Sequence, residues 1–316
     1  MIKQPLLKRL IPTLAAPMSW EQMIGIENLT AAWRKVRANG GSAGVDGQTL
    51  RNFEAQLSDN IARLHDELAS GHYRPQQVMR VYVPKSSGGR RPLGIYSIRD
   101  RVVQRAVHDA IAPLFERRFL PCSFAFRPQR SLHDAVAYIV KQRDAGRRWV
   151  VDGDIKDCFE RLDHDVLMRA VSVEVKEPQV QRLIQLWLKA KVMNELDGRE
   201  TGFGVVQGGA VSPLLSNVYL HAFDERMTRA GLALVRYADD WIVLSESEAD
   251  ARGALNQVMD ALAKLKLAIH PQKTWVTHFD KGFSFLGVFF LRGEHFYLSP
   301  AQAPAFAANA RREGND

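Results

Sequence analysis

Leu232-Ala233-Leu234-Val235-Arg236-Tyr237-Ala238-Asp239-Asp240-Trp241-Ile242-Val243-Leu244 is the stretch on which the reading of the whole chain turns. Its two apolar runs, Leu232 to Tyr237 and Trp241 to Leu244, predict strands, and Ala238-Asp239-Asp240 joins them as a hairpin with adjacent carboxylates at its tip. Aspartate is a common turn residue, so a solvated polar turn is the bland alternative. Two carboxylates between two apolar strands are nevertheless unusual, because like charges side by side repel and call for a cation. A bare Tyr-x-Asp-Asp is suggestive and no more.

The flanking sequence supplies the rest of a sheet and its helices. Trp149-Val150-Val151 leads as a short strand into Asp154, and Asp163 opens a helix containing Val166, Leu167 and Ala170. Ser212-Pro213 reads as an N-cap with proline at the first helical position, and that helix runs on through Leu215, Val218 and Phe223. Leu255 to Leu267 is helical, and Phe283 to Leu291 is a further apolar strand pair.

Towards the N-terminus, Leu50, Phe53, Leu57, Ile61, Leu64 and Leu68 predict one amphipathic helix stopped by Gly71. A preceding helix ends at Asn39-Gly40-Gly41, and Asp46-Gly47 marks a turn. Val78 to Val83 and Arg91 to Tyr96 form a hairpin around Ser86-Ser87-Gly88-Gly89, with Lys85, Arg90 and Arg91 at its flanks. Asp100 is placed to cap a helix with Val103, Ala106, Val107, Ile111 and Leu114 on one face, and Ser131 with Asp134 resembles a capping box. The pattern gives an α+β fold, with helices on one face of a largely antiparallel sheet.

Composition narrows the function. Of 316 residues, 46% are hydrophobic and 25% charged, ordinary values for a globular chain. Cys122 and Cys158 have neither metal-ligand spacing nor a partner framework, so a reducing, cytoplasmic setting is expected, and the nine scattered histidines predict no zinc site. Pro12 and Pro17 break the apolar stretch after Lys3, Lys8 and Arg9, a poor signal peptide, and no run predicts a membrane span. The net charge is +8, but residues 74–148 alone carry 16 Lys and Arg against 5 Asp and Glu. A basic excess gathered in one block points to a polyanion partner, with a solvated basic surface as the plain alternative.

Nucleotidyl transfer uses two divalent cations about 4 Å apart, one at the attacking 3′-hydroxyl and one at the leaving pyrophosphate. Mg2+ takes one or two carboxylates with water and phosphate oxygens, and adjacent aspartates on a hairpin supply them. A third carboxylate at the end of another strand completes such a site. Asp154 qualifies, but Asp152 and Asp157 compete, and strand alternation places Asp152 and Asp154 on the same face.

Residues 25 to 291 carry an ordered series of blocks that resembles the reverse transcriptases of group II introns. The series begins with Gly40-Gly41-Ser42-Ala43-Gly44-Val45-Asp46-Gly47. Next come Pro84-Lys85 through Arg91-Pro92-Leu93-Gly94-Ile95, Asp100-Arg101-Val102-Val103-Gln104, and Phe126-Arg127-Pro128 with Ser131 and Asp134-Ala135. Asp154-Ile155-Lys156 with Phe159 and Asp163-His164 follows, then Gln207-Gly208-Gly209 and Ser212-Pro213-Leu214-Leu215-Ser216-Asn217. Tyr237-Ala238-Asp239-Asp240, His270-Pro271-Gln272-Lys273-Thr274 and Phe285-Leu286-Gly287 close it. Each block alone is weak; the ordered series is specific.

The resemblance implies a right-hand polymerase with fingers within residues 1–150, a palm over 151–291, and a short tail or thumb remnant over 292–316. It implies an RNA-directed DNA polymerase using two Mg2+ ions, with Mn2+ as an alternative, and makes Asp154 the third catalytic carboxylate beside Asp239 and Asp240. The Ile155 backbone would join the metal ligands. Lys85 and Arg91 would clamp the incoming deoxynucleoside triphosphate. Ile155, Lys156 and Phe159 would floor its site, with Phe159 excluding a 2′-hydroxyl. Gln207 would touch nucleotide or template, and Lys273 would protonate leaving pyrophosphate. Arg127 and Arg130, in the basic block, are expected on nucleic acid. The implied partners are an RNA template, a DNA or RNA primer, and a protein, structured RNA or second copy supplying a clamp; no membrane partner is expected.

Several positions depart from the pattern. Val206 replaces the usual proline before the glutamine, and Phe124-Ala125-Phe126 replaces Tyr-Gly-Phe, which resembles the branch at CRISPR loci that acquires spacers from RNA beside an integrase. Ser212-Pro213 speaks against the diversity-generating branch. An RNA-binding, maturase-like component, or a defence polymerase making untemplated or protein-linked DNA, are the competing readings.

Overall fold

In this computed structural model the described residues are 18–84, 89–194, 200–201 and 204–299. The N-terminal part is a helical layer on a small sheet. Helices α1 (Trp20–Ile24), α2 (Ile26–Asn39), α3 (Leu50–Ala55) and α4 (Leu57–Ala69) precede strands β1 (Val78–Pro84) and β2 (Arg90–Ile95), and α5 (Ile98–Glu116) and α6 (Leu132–Asp144) follow. The predicted Leu50–Leu68 helix is two helices, because Gln56 leaves helical dihedrals at φ −123°, ψ 36°. β1 and β2 pair antiparallel as predicted, Met79 opposite Ile95 through Pro84 opposite Arg90; the loop between them, with Lys85, lies outside the described residues.

The cap of α5 is Ser97, whose hydroxyl accepts from the Asp100 amide, and not Asp100. Asp100 instead sits three residues inside, fully buried, accepting from the Tyr73 hydroxyl at 2.6 Å and the Gln76 amide at 2.8 Å. The capping box at Ser131 and Asp134 is present.

The second part is built on one four-stranded sheet. Strand β3 (Trp149–Asp154) leads to α7 (Cys158–Arg161), α8 (His164–Glu174) and α9 (Pro178–Leu188), then β4 (Val192–Asn194) and β5 (Glu200–Thr201), which join the β1–β2 sheet. Helix α10 (Ser212–Arg229) starts one residue earlier than expected, so Ser212 is not its cap; the Ser212 hydroxyl donates to the Val206 carbonyl. Strands β6 (Ala233–Tyr237) and β7 (Asp240–Ser245), helix α11 (Glu248–Lys264), a 3-10 turn (Pro271–Lys273) and β8 (Trp275–His278) complete the layer. Strand order is β6-β7-β3-β8, antiparallel throughout.

This sheet is covered on both faces, not on one. Leu234, Trp241, Val243 and Val151 join the main core with α10 and α11. Their neighbours Ala233, Val235, Ile242, Leu244 and Val150 join a second core with α6 and the aromatic residues Phe279, Phe283 and Phe290. Period-two alternation thus delivers each strand to two apolar layers, which is why the strands read as continuous hydrophobic runs. The predicted Phe283–Leu291 pair is β9 (Phe283–Phe285) and β10 (Val288–Leu291), extended by β11 (Glu294–Tyr297). Among the described residues no helix is long and apolar enough to cross a membrane.

Candidate active site

Three carboxylates meet at one end of the four-stranded sheet. β3 and β7 run antiparallel in the register Trp149 opposite Ser245 through Asp154 opposite Asp240, so these two aspartates are direct cross-strand partners, with Cα atoms about 4.5–5.5 Å apart. Tyr237 pairs with Asp240, which leaves Ala238 and Asp239 as a two-residue hairpin loop. Ala238 has φ +60° and Asp239 does not share that sign, the φ pattern of a type II′ turn, where glycine is the usual first residue.

The strained turn is held from beneath. Arg236, 0% exposed, donates from Nη1 to the Ala238 carbonyl at 2.9 Å and to Asn217 Oδ1 at 2.9 Å. Its Nε and Nη2 take both oxygens of the equally buried Asp224 at 2.6 Å, and Nη2 also reaches Ser123 Oγ at 2.8 Å. By sequence pattern Arg236 is one residue of an apolar strand. The signal available was that position itself: a guanidinium two residues before the carboxylate pair in an otherwise apolar run must be paired when buried.

Charge is crowded here. Burial pushes the Asp239 carboxyl above its ordinary range, and the Asp154 charge adds to this. Asp240 is pushed up to about 7, by desolvation first and then by Asp239 and Asp154. Asp240 is exposed at the start of β7, so water tempers this desolvation while the crowding of three carboxylates still acts upward. Lys273 places its ammonium 2.5 Å from Asp154 Oδ2, a cation already seated on one of the three.

Asp152 and Asp157 lie elsewhere. Asp152 is 7% exposed on β3, opposite Ile242. Asp157 has φ +49°, precedes α7 and faces Arg161 at 3.6 Å. Ile155 pairs with Ile269 in an isolated antiparallel bridge flanked by Lys156 N–H to the Ala268 carbonyl and His270 N–H to the Asp154 carbonyl. Its own backbone groups take no part in that pair. Phe159 is 9% exposed in the main core, and its carbonyl accepts from the Val205 amide at 2.7 Å, so the loop carrying Gln207 rests on it. The Gln207 carbonyl in turn accepts from the Gly94 amide at 2.7 Å, linking that loop to the β1–β2 hairpin. A Cβ on Gly208, at φ +106°, would lie 2.3 Å from the Gly94 carbonyl oxygen, so only glycine fits. Arg91 is exposed on β2 and Lys156 is exposed beside Ile155. Lys85 lies outside the described residues.

The expectation for Arg127 is corrected. Its side chain is 3% exposed and locked to Glu116, with Nη2 to Oε1 at 2.6 Å, while Nη1 donates to the Leu120 and Ser123 carbonyls at 2.7 Å. No donor is left for phosphate. Arg130 donates to the Pro121 carbonyl at 3.3 Å and lies over the Phe124 ring. Other arginines of the basic block are also paired: Arg99 on Glu67 and Arg105 on Asp109 are half-buried, while Arg118 on Glu174 and Arg148 on Asp280 pair at the surface. Arg127→Glu is therefore expected to lower the melting temperature and leave the salt dependence of nucleic-acid binding unaltered. Arg90→Glu, on an exposed strand, is expected to reduce the slope of log Kd on log salt by about 1. The reverse outcome for the pair would put Arg127, and not Arg90, on the nucleic-acid backbone.

Among the described residues no group of three His, Cys, Asp or Glu side chains is already arranged to hold a metal ion. The donor chemistry still fits a hard divalent cation: adjacent carboxylates with raised proton affinity, and an ammonium seated on one of them.

A model of the family described as reverse transcriptase (RNA-dependent DNA polymerase) matches residues 83–290. Protein YkfC of Escherichia coli (strain K12) is 35% identical over 283 residues, covering 77% of this chain and 74% of that protein. The group II intron-encoded protein LtrA of Lactococcus lactis subsp. cremoris is 36% identical over 197 residues, covering 61% of this chain and 32% of that protein. The match to LtrA thus spans about a third of its length. Among solved structures, telomerase from Candida albicans in complex with a telomeric RNA fragment superposes with a TM-score of 0.54 at 13% identity, covering 79% of this chain and 49% of that one, a likeness of fold alone.

Proposed function

Because this chain belongs to the reverse transcriptase (RNA-dependent DNA polymerase) family, we propose that it extends a DNA or RNA primer along an RNA template, with Asp154, Asp239 and Asp240 as catalytic carboxylates. The observation that carries this reading is the register of β3 on β7, which sets Asp154 opposite Asp240 with Asp239 at the turn beside them.

Asp154, Asp239 and Asp240, with the Ile155 carbonyl, are the residues to hold two Mg2+ ions, or Mn2+ in their place. When bound, such ions lower the pKa of the attacking 3′-hydroxyl and neutralise charge on the triphosphate. The chain's own groups do the rest. Arg91, with Lys85 from the same hairpin, orients the triphosphate through fixed positive charge. Lys156 flanks the nucleotide floor formed by Ile155 and Phe159. Gln207 is held on the edge of that floor by the Gly94 and Phe159 backbone contacts. Lys273 holds Asp154 in the free protein and, released from it, carries a proton suited to the departing pyrophosphate.

Phe159 is the proposed barrier to a 2′-hydroxyl. Phe159→Val is expected to improve ribonucleotide use relative to deoxyribonucleotide by roughly 10- to 100-fold, the range a shaped pocket achieves against one hydroxyl. The ratio of the two incorporation efficiencies measures it, and an unchanged ratio in a folded variant returns Phe159 to the core.

Primer extension on poly(rA) with oligo(dT) tests the activity, and omission of the template tests the untemplated alternative. Synthesis without template would replace the reading with that of a terminal transferase. An integrase-type protein partner, suggested by Phe124-Ala125-Phe126, is tested by product length on a long template with and without proteins encoded beside the chain.

A further inference from the structure

Phe126 breaks two ordinary rules at once. It is 55% exposed, although a phenylalanine ring favours burial. It sits at φ +59°, a backbone conformation that bulky residues rarely adopt. The segment that carries it is nonetheless pinned on both sides.

Cys122 to Phe124 lies along the free edge of β6. The Arg236 amide donates to the Cys122 carbonyl at 2.8 Å and the Phe124 amide to the Arg236 carbonyl at 3.0 Å, with Ser123 bridged to Arg236 in parallel. Parallel pairing carries the segment in the direction β6 runs, towards the Ala238-Asp239 turn. Asn217 then donates to the Ala125 carbonyl at 2.8 Å while its own Oδ1 accepts from Arg236, the residue that holds the Ala238 carbonyl. On the far side, Arg127 is locked to Glu116. The backbone that carries the exposed Phe126 is thus held at the catalytic end of the sheet edge, by the hydrogen-bond network that also holds the catalytic turn. Strain kept at an exposed aromatic, with the cost of ordering already met, marks a contact made with something else.

We propose that Phe126 is an apolar contact for the template–primer, its ring lying against the sugar and base edge of a nucleotide next to the active site. This rests on the polymerase reading. The occupant is nucleic acid and not a protein because the segment carrying Phe126 runs along β6 towards the catalytic turn, where a polymerase must hold its primer end. Aromatic contacts of this kind tolerate any sequence, since every nucleotide offers an apolar face.

The test is template–primer affinity of the full chain by fluorescence anisotropy across a salt series, with melting temperature measured in parallel. Phe126→Gly removes the ring and also relieves the left-handed backbone. It is expected to keep a melting temperature at or above that of wild type while raising Kd roughly tenfold at every salt concentration, with the slope of log Kd on log salt unchanged. Phe126→Trp is expected to restore affinity. An unchanged Kd in Phe126→Gly, or an equal loss in Phe126→Trp, overturns the contact, as does a loss of affinity that appears only as a changed salt slope. Failure of the wild-type chain to bind or extend template–primer would instead overturn the polymerase reading itself.

Discussion

Template-dependent DNA synthesis is expected to fall by on the order of a thousandfold or more in Asp239→Ala and in Asp240→Ala, with the fold retained. Charge stabilisation at such a site is worth several kcal/mol, and each 1.36 kcal/mol is a factor of ten in rate. Asp239 lies in the hairpin loop and Asp240 at the first position of β7, neither in an apolar core, so their removal leaves packing untouched. Asp154→Ala is expected to behave alike, and Asp157→Ala, exposed before α7 and paired with Arg161, to lose far less. Rates near wild type in the two turn variants would remove the mechanism.

The raised carboxyl pKa values add a second readout. With Asp240 pushed up to about 7 and an unfolded value near 3.9, the folded state binds the proton more tightly. The free protein therefore loses stability as pH rises between these values. Asp240→Asn removes that titration, so it is expected to melt at a higher temperature than wild type at pH 8 and at about the same temperature at pH 4. A variant that gains stability while losing synthesis carries a carboxylate kept for its chemistry. Equal melting temperatures at pH 8 would mean that solvent cancels the crowding at Asp240.

The sequence made this turn legible because strand period and turn chemistry are local. Tyr237-Ala238-Asp239-Asp240, the strand ending at Asp154 and the hairpin at Val78 to Tyr96 all stand where local pattern puts them. What local pattern could not choose was among Asp152, Asp154 and Asp157, since that depends on which residue of β3 meets Asp240 across the sheet. The family resemblance supplied that choice, and the register sets Asp154 opposite Asp240.

Other misreadings have the same origin in distance. Ser97 takes the cap expected of Asp100 because Tyr73 and the Gln76 backbone draw Asp100 inward. Arg127 looked like a phosphate ligand by charge alone, but Glu116 lies 11 residues back and closes on it through the fold. The second covered face of the sheet needed α6 and the β9–β10 aromatics, which meet it only in three dimensions. Charge counts along a sequence overstate a nucleic-acid surface wherever arginines serve as internal struts.

Arg236 is the costliest of those struts to remove. Arg236→Met leaves the Asp224 carboxylate buried without its partner, and Asp224→Asn leaves the guanidinium short of its counter-charge. Breaking one side of a buried pair costs about 3–5 kcal/mol, so both variants are expected to melt well below wild type. Loss of synthesis in them would be uninformative alone, since an unfolded polymerase is also inactive. The double variant Arg236→Met with Asp224→Leu separates the two effects, because apolar replacement of both partners recovers much of the stability. It does not return a donor to the Ala238 carbonyl, which Arg236 alone among the described hydrogen bonds supplies. The left-handed Ala238 is then free to relax, at a strain of roughly 1–3 kcal/mol, and the two aspartates lose their fixed aim. The expected result is a double variant that melts near wild type yet synthesises DNA at least tenfold more slowly at saturating nucleotide. Recovery of both stability and kcat would show Arg236 to be a core ion pair with no part in aiming the turn.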